Sequence, residues 1–200
     1  MIASRVQAMD TTICPPLYLS VVHLEVGEDD GSLGAALDRI TANRDALDAV
    51  AAVCDSADIL SLPAVHKALA AIRPKGMKLM VVTDGSLASA MDDIVGAGYA
   101  DMALIRIRGK ASDAQKESMG LMEDYGYWYA VEAVIVPGVT DVSAIKDIAA
   151  SCPGCKRFLI RAVDPSRTDA KKDPLTEKDV RPLVQAVSGM VRNPTFLGFI

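Results

Sequence analysis

Two hundred residues, half of them apolar and only 4% aromatic, suit a single α/β domain whose core is built from Ala, Val, Leu, Ile and Met rather than from aromatic rings. The net charge of -5 and a pI near 5.0 argue against a nucleic-acid surface, which needs a basic stripe. No segment approaches the roughly 18 consecutive apolar residues of a membrane span, and Met1 and Ile2 run on into Ser4, Arg5, Gln7 and Asp10 without the apolar core of an export signal, so the cytoplasm is the expected location.

In chain order, the first apolar run, 17–25, carries His23 and Glu25 and leaves through Val26-Gly27-Glu28-Asp29-Asp30-Gly31-Ser32. Residues 33–44 follow with apolar positions three and four apart, the signature of a helix with one buried stripe. The second run, 47–54, ends at Cys54-Asp55, and the amphipathic stretch 62–72 comes next. Gly76 separates it from the third run, 77–83, where Leu79-Met80-Val81-Val82 reads as a strand buried on both faces. That run exits through Thr83-Asp84-Gly85-Ser86, and Ser86 is placed to cap a helix over 87–97.

The fourth run, 100–108, carries Arg106 and Arg108; a helical stretch over 112–125 follows, ended by Gly126. The fifth, 127–136, is apolar but for Glu132, and the sixth, 156–163, carries Arg161. Between them lie a helical stretch, 141–150, and the turn Cys152-Pro153-Gly154-Cys155. Residues 164–174 are polar and bounded by proline, which predicts an exposed loop. Thr176 and Asp179 have the spacing of a capping box at the start of a last helix over 177–191. The apolar tail 193–200 is expected either to pack back on the domain or to meet a partner, another protein or a second copy of the chain. Strand and helix alternate six times, which predicts one α/β domain spanning 1–200, a partial (βα)6 TIM-like barrel with parallel strands inside and helices outside. A doubly wound sheet with nucleotide at its switch point is the competing architecture.

Charged residues inside apolar strands are the most informative chemistry. Arg106 and Arg108 are two apart and share one face of their strand. An isolated buried charge is costly, so Arg106, Arg108, Glu132 and Arg161 are expected to face a barrel lumen and to neutralise one another. That is either a ligand-free ion-pair network or a pocket for an anionic or zwitterionic small molecule, which arginines grip in bidentate fashion. Thr83, Asp84 and Gly85 open a helix where backbone N–H groups can meet a polar ligand, or form a plain strand–helix turn. Cys152 and Cys155 have the spacing of zinc, redox and cluster pairs, but a closed zinc site needs four ligands, so a turn with two partly buried thiols is expected, with a zinc or cluster shared between subunits as the alternative.

From about residue 44 to 164 the order of signals resembles the activating enzymes of anaerobic ribonucleotide reductase and pyruvate formate-lyase, in the radical S-adenosylmethionine superfamily. Thr83-Asp84-Gly85 is similar to the Thr-Asn-Gly that ends the family's third strand. Ala100-Asp101, running to Arg106-Ile107-Arg108-Gly109, resembles its fourth, and Val136-Pro137-Gly138 its fifth. The resemblance implies a partial barrel, S-adenosylmethionine in the lumen and an anaerobic setting. It also marks departures. The family's Cys-x3-Cys-x2-Cys loop after the first strand is absent, so a [4Fe–4S] cluster, which needs thiolate ligands, is not expected. Cys54-Asp55-Ser56-Ala57 replaces a Gly-Gly-Glu-Pro exit, Arg106 and Arg108 stand where Asp and Lys are usual, and Glu132 where Arg is usual. The implied function is an accessory descendant that binds a partner or small ligand and generates no radical by itself. Its alternative is an enzyme or binder that keeps S-adenosylmethionine or a relative against Glu25, Asp55, Thr83, Asp84, Gly85, Arg106, Arg108, Glu132 and Arg161, with any cluster supplied in trans.

Overall fold

A computed structural model describes residues 4–6, 21–25, 33–42, 44–46, 49–53, 58–136, 139–162, 176–192 and 194–199. Its strands are β1 (Ser4–Val6), β2 (Val21–Glu25), β3 (Ala49–Val53), β4 (Lys78–Thr83), β5 (Met102–Arg108), β6 (Trp128–Ile135), β7 (Arg157–Ala162) and β8 (Thr195–Phe199). Between them run α1 (Leu33–Ala42), α2 (Pro63–Ile72), α3 (Ala88–Gly96), α4 (Asp113–Asp124), α5 (Val142–Ala150) and α6 (Glu177–Val187). One sheet holds the strands in chain order, β1 antiparallel to β2 and each later strand parallel to the one before it.

Alternation along each strand divides the sheet's side chains between two faces. Val50, Ala52, Leu79, Val81, Ala103, Ile105, Val131, Ala133 and Ile160 turn toward the helices and bury against Val65, Leu69, Met91, Ile94, Met119, Ile145, Ile148 and Leu183. Ala49, Ala51, Met80, Met102, Leu104, Ala130 and Leu159 occupy the other face, and no helical residue belongs to that cluster. All six helices thus contribute to the core on one side. A doubly wound sheet needs helices on both faces and a reversal in strand order; sequential parallel strands with helices on one face and a side-chain-filled inner face define a partial TIM-like barrel instead. It stays open, since no ladder joins β1 to β8 among the described residues.

The six expected strands are present, and two edge strands add to them. The apolar tail is β8: Thr195, Phe196, Gly198 and Phe199 align with Leu159, Ile160, Arg161 and Ala162, with Phe196 packed on the helical side and Leu197 on the inner side. Helix starts follow local chemistry. Ser112 accepts the Gln115 N–H at 3.2 Å while the Gln115 side chain accepts the Ser112 N–H at 2.9 Å, and Asp141 accepts the Ala144 N–H at 2.8 Å. Asp179 accepts both the N–H and the hydroxyl of Thr176, each at 2.7 Å. Ser86 does not cap α3: its N–H donates to Asp84 Oδ1 at 2.7 Å, and the helix begins after Leu87 without a side-chain cap. The expected loop 164–174 lies outside the described residues, as do Cys14, Cys54 and Asp55.

Candidate functional site

Three adjacent strands converge on one carboxylate. Glu132, on β6, is aligned with Arg106 of β5, and Val134, two residues on, is aligned with Arg161 of β7. Glu132 is 1% exposed, yet each of its oxygens has its own guanidinium: Arg106 Nε donates to Oε2 at 2.7 Å, and Arg161 Nε donates to Oε1. The arginine side chains are 46% and 20% exposed, so the acid is sealed beneath two bases that reach toward solvent. Arg108, two residues further along β5 and exposed, has no ion pair among the described residues. Two guanidiniums therefore pair with one carboxylate, and Arg108 lies on the same face of β5 as Arg106. The cluster holds an excess of positive charge near the carboxyl ends of the strands, where α/β barrels place their chemistry. In this low-dielectric setting the buried acid is tolerated only because both oxygens are paired.

A second polar cluster lies at the carboxyl ends of β3 and β4, and its centre, Asp58, has no counterpart in the sequence-based expectation. One Asp58 oxygen accepts the Leu60 N–H at 2.8 Å, and the other accepts the Thr83 hydroxyl and the Asp84 N–H, each at 2.6 Å. Thr83 in turn accepts the Gly85 N–H at 2.9 Å. Helix α4 stitches the turn from outside: Gln115 Nε2 donates to the Asp84 carbonyl at 2.7 Å and Ser118 Oγ to the Gly85 carbonyl at 2.8 Å. Burial pushes the Asp58 carboxyl above its ordinary value, a rise that the Thr83 and Asp84 N–H bonds only partly offset and that the neighbouring Asp84 carboxyl adds to. Burial also acts upward on Asp84, but the Ser86 hydroxyl and N–H, together with the Asp58 carboxyl, pull it lower. Of the two carboxyls, Asp58 is thus the one held above its ordinary value and Asp84 the one held below it.

Not all of the expected site residues come together. Thr83 is on the same side of β4 as Val81, which packs against the helices, so it is turned away from Arg106 and Glu132. Glu25 ends β2 in register with Val53, and Asp55 lies outside the described residues. Gly85 adopts φ +73°, and a Cβ there would stand 3.0 Å from Ile105 Cγ2. An Asp opening a short turn is a common N-terminal cap; Asp58, before the 3-10 turn Ile59–Ser61, carried that signal.

A cluster would require several thiolates at this end of the sheet. The cysteines among the described residues, Cys152 and Cys155, lie instead before the amino end of β7, buried outside the lumen. No three metal-ligating side chains converge among the described residues. The described thiols thus do not fit a lumenal cluster.

Solved structures with a similar open parallel barrel include radical SAM enzymes. No family model matches the chain, and neither does any curated protein. Among solved structures, SuiB of Streptococcus suis is similar to this chain with S-adenosylmethionine bound (TM-score 0.62, 14% identity) and with its precursor peptide SuiA (TM-score 0.65, 14% identity). The alignments cover 84% and 83% of this chain, which spans 42% of SuiB. A domain of the pyruvate-formate lyase-activating enzyme from Bacteroides vulgatus matches at TM-score 0.52 and 15% identity, over 66% of this chain and 88% of that one. A radical SAM methyltransferase from Sphaerobacter thermophilus matches at TM-score 0.58 and 12% identity, over 83% of this chain and 56% of that one. At these identities the likeness is one of fold. No helix among the described residues is long and apolar enough to cross a membrane.

Proposed function

We propose that this chain is a radical-SAM-like barrel without a cluster of its own, acting as an accessory protein that holds an anionic or zwitterionic small molecule in its upper lumen. The observation that carries this reading is the charge imbalance around Glu132: Arg106 and Arg161 each engage it through Nε alone, and Arg108 has no partner among the described residues. Guanidinium groups held by one edge keep their other N–H donors for a carboxylate or phosphate, which they bind through two parallel bonds. A second reading is that the small molecule is S-adenosylmethionine, whose carboxylate suits these arginines; its support is the S-adenosylmethionine-bound SuiB neighbour. The precursor-peptide complex of SuiB, together with exposed Leu87, Val139 and Val142, supports a peptide or protein partner as well.

The test is calorimetric titration of the intact chain with S-adenosylmethionine and with a panel of carboxylates and phosphates, beside Arg106→Ala/Arg108→Ala. Binding by the parent chain that the double variant loses supports the lumen site. Unchanged heats and melting temperatures across the whole panel would overturn it. An anaerobic preparation tests the other half: a brown chromophore with stoichiometric iron defeats the claim that the chain lacks its own cluster.

A further inference from the structure

At the opposite end of the barrel from the arginines, Cys152 and Cys155 bracket the turn between α5 and β7, and both are fully buried. The Cys155 N–H donates to the Cys152 carbonyl at 3.1 Å. This is the i to i+3 bond of a β-turn, which keeps the two α-carbons within about 7 Å; a disulfide needs about 4.4–6.8 Å. Cys152 Sγ donates to the Ile148 carbonyl at 3.2 Å.

The turn is held from outside. Its crown, Pro153 and Gly154, is exposed. The Gly154 N–H donates to Glu123 Oε1 of α4 at 3.0 Å, and a Cβ on Gly154 would fall 2.6 Å from that carboxylate, which would have to move aside. Tyr129 of β6 donates its hydroxyl to the same oxygen. The two sulfurs differ in character. The neighbouring Cys155 sulfur, then burial and the Glu123 charge, push Cys152 far up. Cys155 is lowered by its Cys152 neighbour despite burial and Glu123, with help from Arg192 and Lys156. One sulfur is a proton-holding partner and the other the better nucleophile, the division of labour that thiol–disulfide chemistry needs.

We propose that Cys152 and Cys155 form a reversible dithiol–disulfide pair, a redox-modification site at the closed end of the barrel. With hydrogen peroxide as oxidant, the Cys155 thiolate attacks one peroxide oxygen. The O–O bond breaks, hydroxide leaves and takes up a proton as water, and Cys155 becomes a sulfenic acid. Cys152 sulfur then attacks that sulfur; the S–S bond forms, the S–O bond breaks, and the Cys152 proton leaves with the hydroxide as a second water. Two thiols lose two electrons and two protons, and one peroxide becomes two waters. A small dithiol reverses the change. The bond ties the end of α5 to the start of β7, the strand that carries Arg161.

Residues 147–156 form one tryptic peptide containing both cysteines and no others. The intact chain is treated with stoichiometric peroxide, alkylated with iodoacetamide, digested and weighed. The expected peptide is two hydrogens lighter than the dithiol, unalkylated, and doubly alkylated after prior reduction. It also forms faster in the native chain than in chain unfolded in urea. In Cys152→Ser the reaction stops at a Cys155 sulfenic acid that dimedone traps. Double alkylation after peroxide, over-oxidation of Cys155 beside an alkylated Cys152, or a native rate no greater than the unfolded one would each overturn the proposal.

Discussion

The two faces of the central sheet are built from the same strands and do opposite work. Toward the helices the layers from Val50 and Leu79 through Ile105 and Val131 to Ile160 are apolar, with polar contacts at the rim where Thr83 meets Asp58. Toward the lumen the lower layers are equally apolar, with Ala51, Met80, Leu104, Ala130 and Leu159, but the upper layer turns to Arg106, Glu132 and Arg161. The contrast is therefore between the bottom of the lumen and its top as much as between its two walls. The buried charge of the lumen sits where the strands run out toward their carboxyl ends, the side on which barrels carry function while the other side carries stability. The helix-facing wall stays apolar until its rim, where Thr83 meets Asp58; the lumen tolerates Glu132 because two guanidiniums span the gap to water.

The largest test of this contrast is Glu132→Ala. Removing one member of a buried ion-pair network leaves guanidiniums uncompensated, and a loss of about 3–5 kcal/mol is expected, read from urea denaturation. Leu79→Ala, on the helical face, is expected to cost a comparable ~2–5 kcal/mol through lost contacts and a cavity. The two differ in salt. High ionic strength should soften the Glu132→Ala loss, since Arg106 is half-exposed, and leave Leu79→Ala unchanged. Equal salt responses would mean the charge cluster is not what stabilises the upper lumen.

A smaller effect, of the opposite sign, separates stability from function. Replacing Arg106, Glu132 and Arg161 together by Met, Leu and Met removes every charge at once, and such swaps are often neutral or stabilising by about 1–4 kcal/mol. The triple variant should therefore melt at or above the parent temperature while losing all response to anionic ligands. A variant that melts lower but still binds would reverse the roles assigned to the two ends of the lumen.

Gly85→Ala probes the rim between the faces. The left-handed backbone at φ +73° and the 3.0 Å approach to Ile105 Cγ2 leave an alanine methyl strained. The expected cost is about 1–2 kcal/mol, measured as a lowered melting temperature. An unchanged Tm would show that the turn relaxes freely and that the α4 contacts to the Asp84 and Gly85 carbonyls do not fix it.

What could be read from the residues follows the same division. The parallel strands and their helices were legible because strands covered on both faces make continuous apolar runs such as Val131–Ile135, in which a single Glu132 or a pair such as Arg106 and Arg108 stands out. The edge strands were harder. Ser4–Val6 is three residues long, and Thr195–Phe199 carries Gly198 at φ +103°, so neither has a usable period. Grouping Thr83 with the lumen arginines overlooked alternation from Val81, and Asp58 escaped notice because its partners are backbone N–H groups and a hydroxyl on the next strand, which no local spacing reveals. Helix α3 started after Leu87 because Asp84 had already claimed the Ser86 N–H.

The smallest effect concerns the sign of a pH slope. Asp58 titrates above its ordinary value of 3.8 in the folded chain, burial being the main cause. Between that value and its folded one, the native state holds a proton that the unfolded chain has released, so stability falls as pH rises through this window. Asp84, lowered by its Ser86 bonds, contributes in the opposite direction, with stability lost as pH falls below 3.8. Asp58→Asn keeps an oxygen to accept from Thr83 and Asp84 but cannot ionise. It should flatten the descending limb above pH 3.8 and leave the acid limb from Asp84 in place, as read from urea midpoints across pH. A descending limb that survives in Asp58→Asn would move the titrating group elsewhere, whereas one that vanishes assigns the rim's pH response to the helix-facing side of the sheet, apart from the lumen charges.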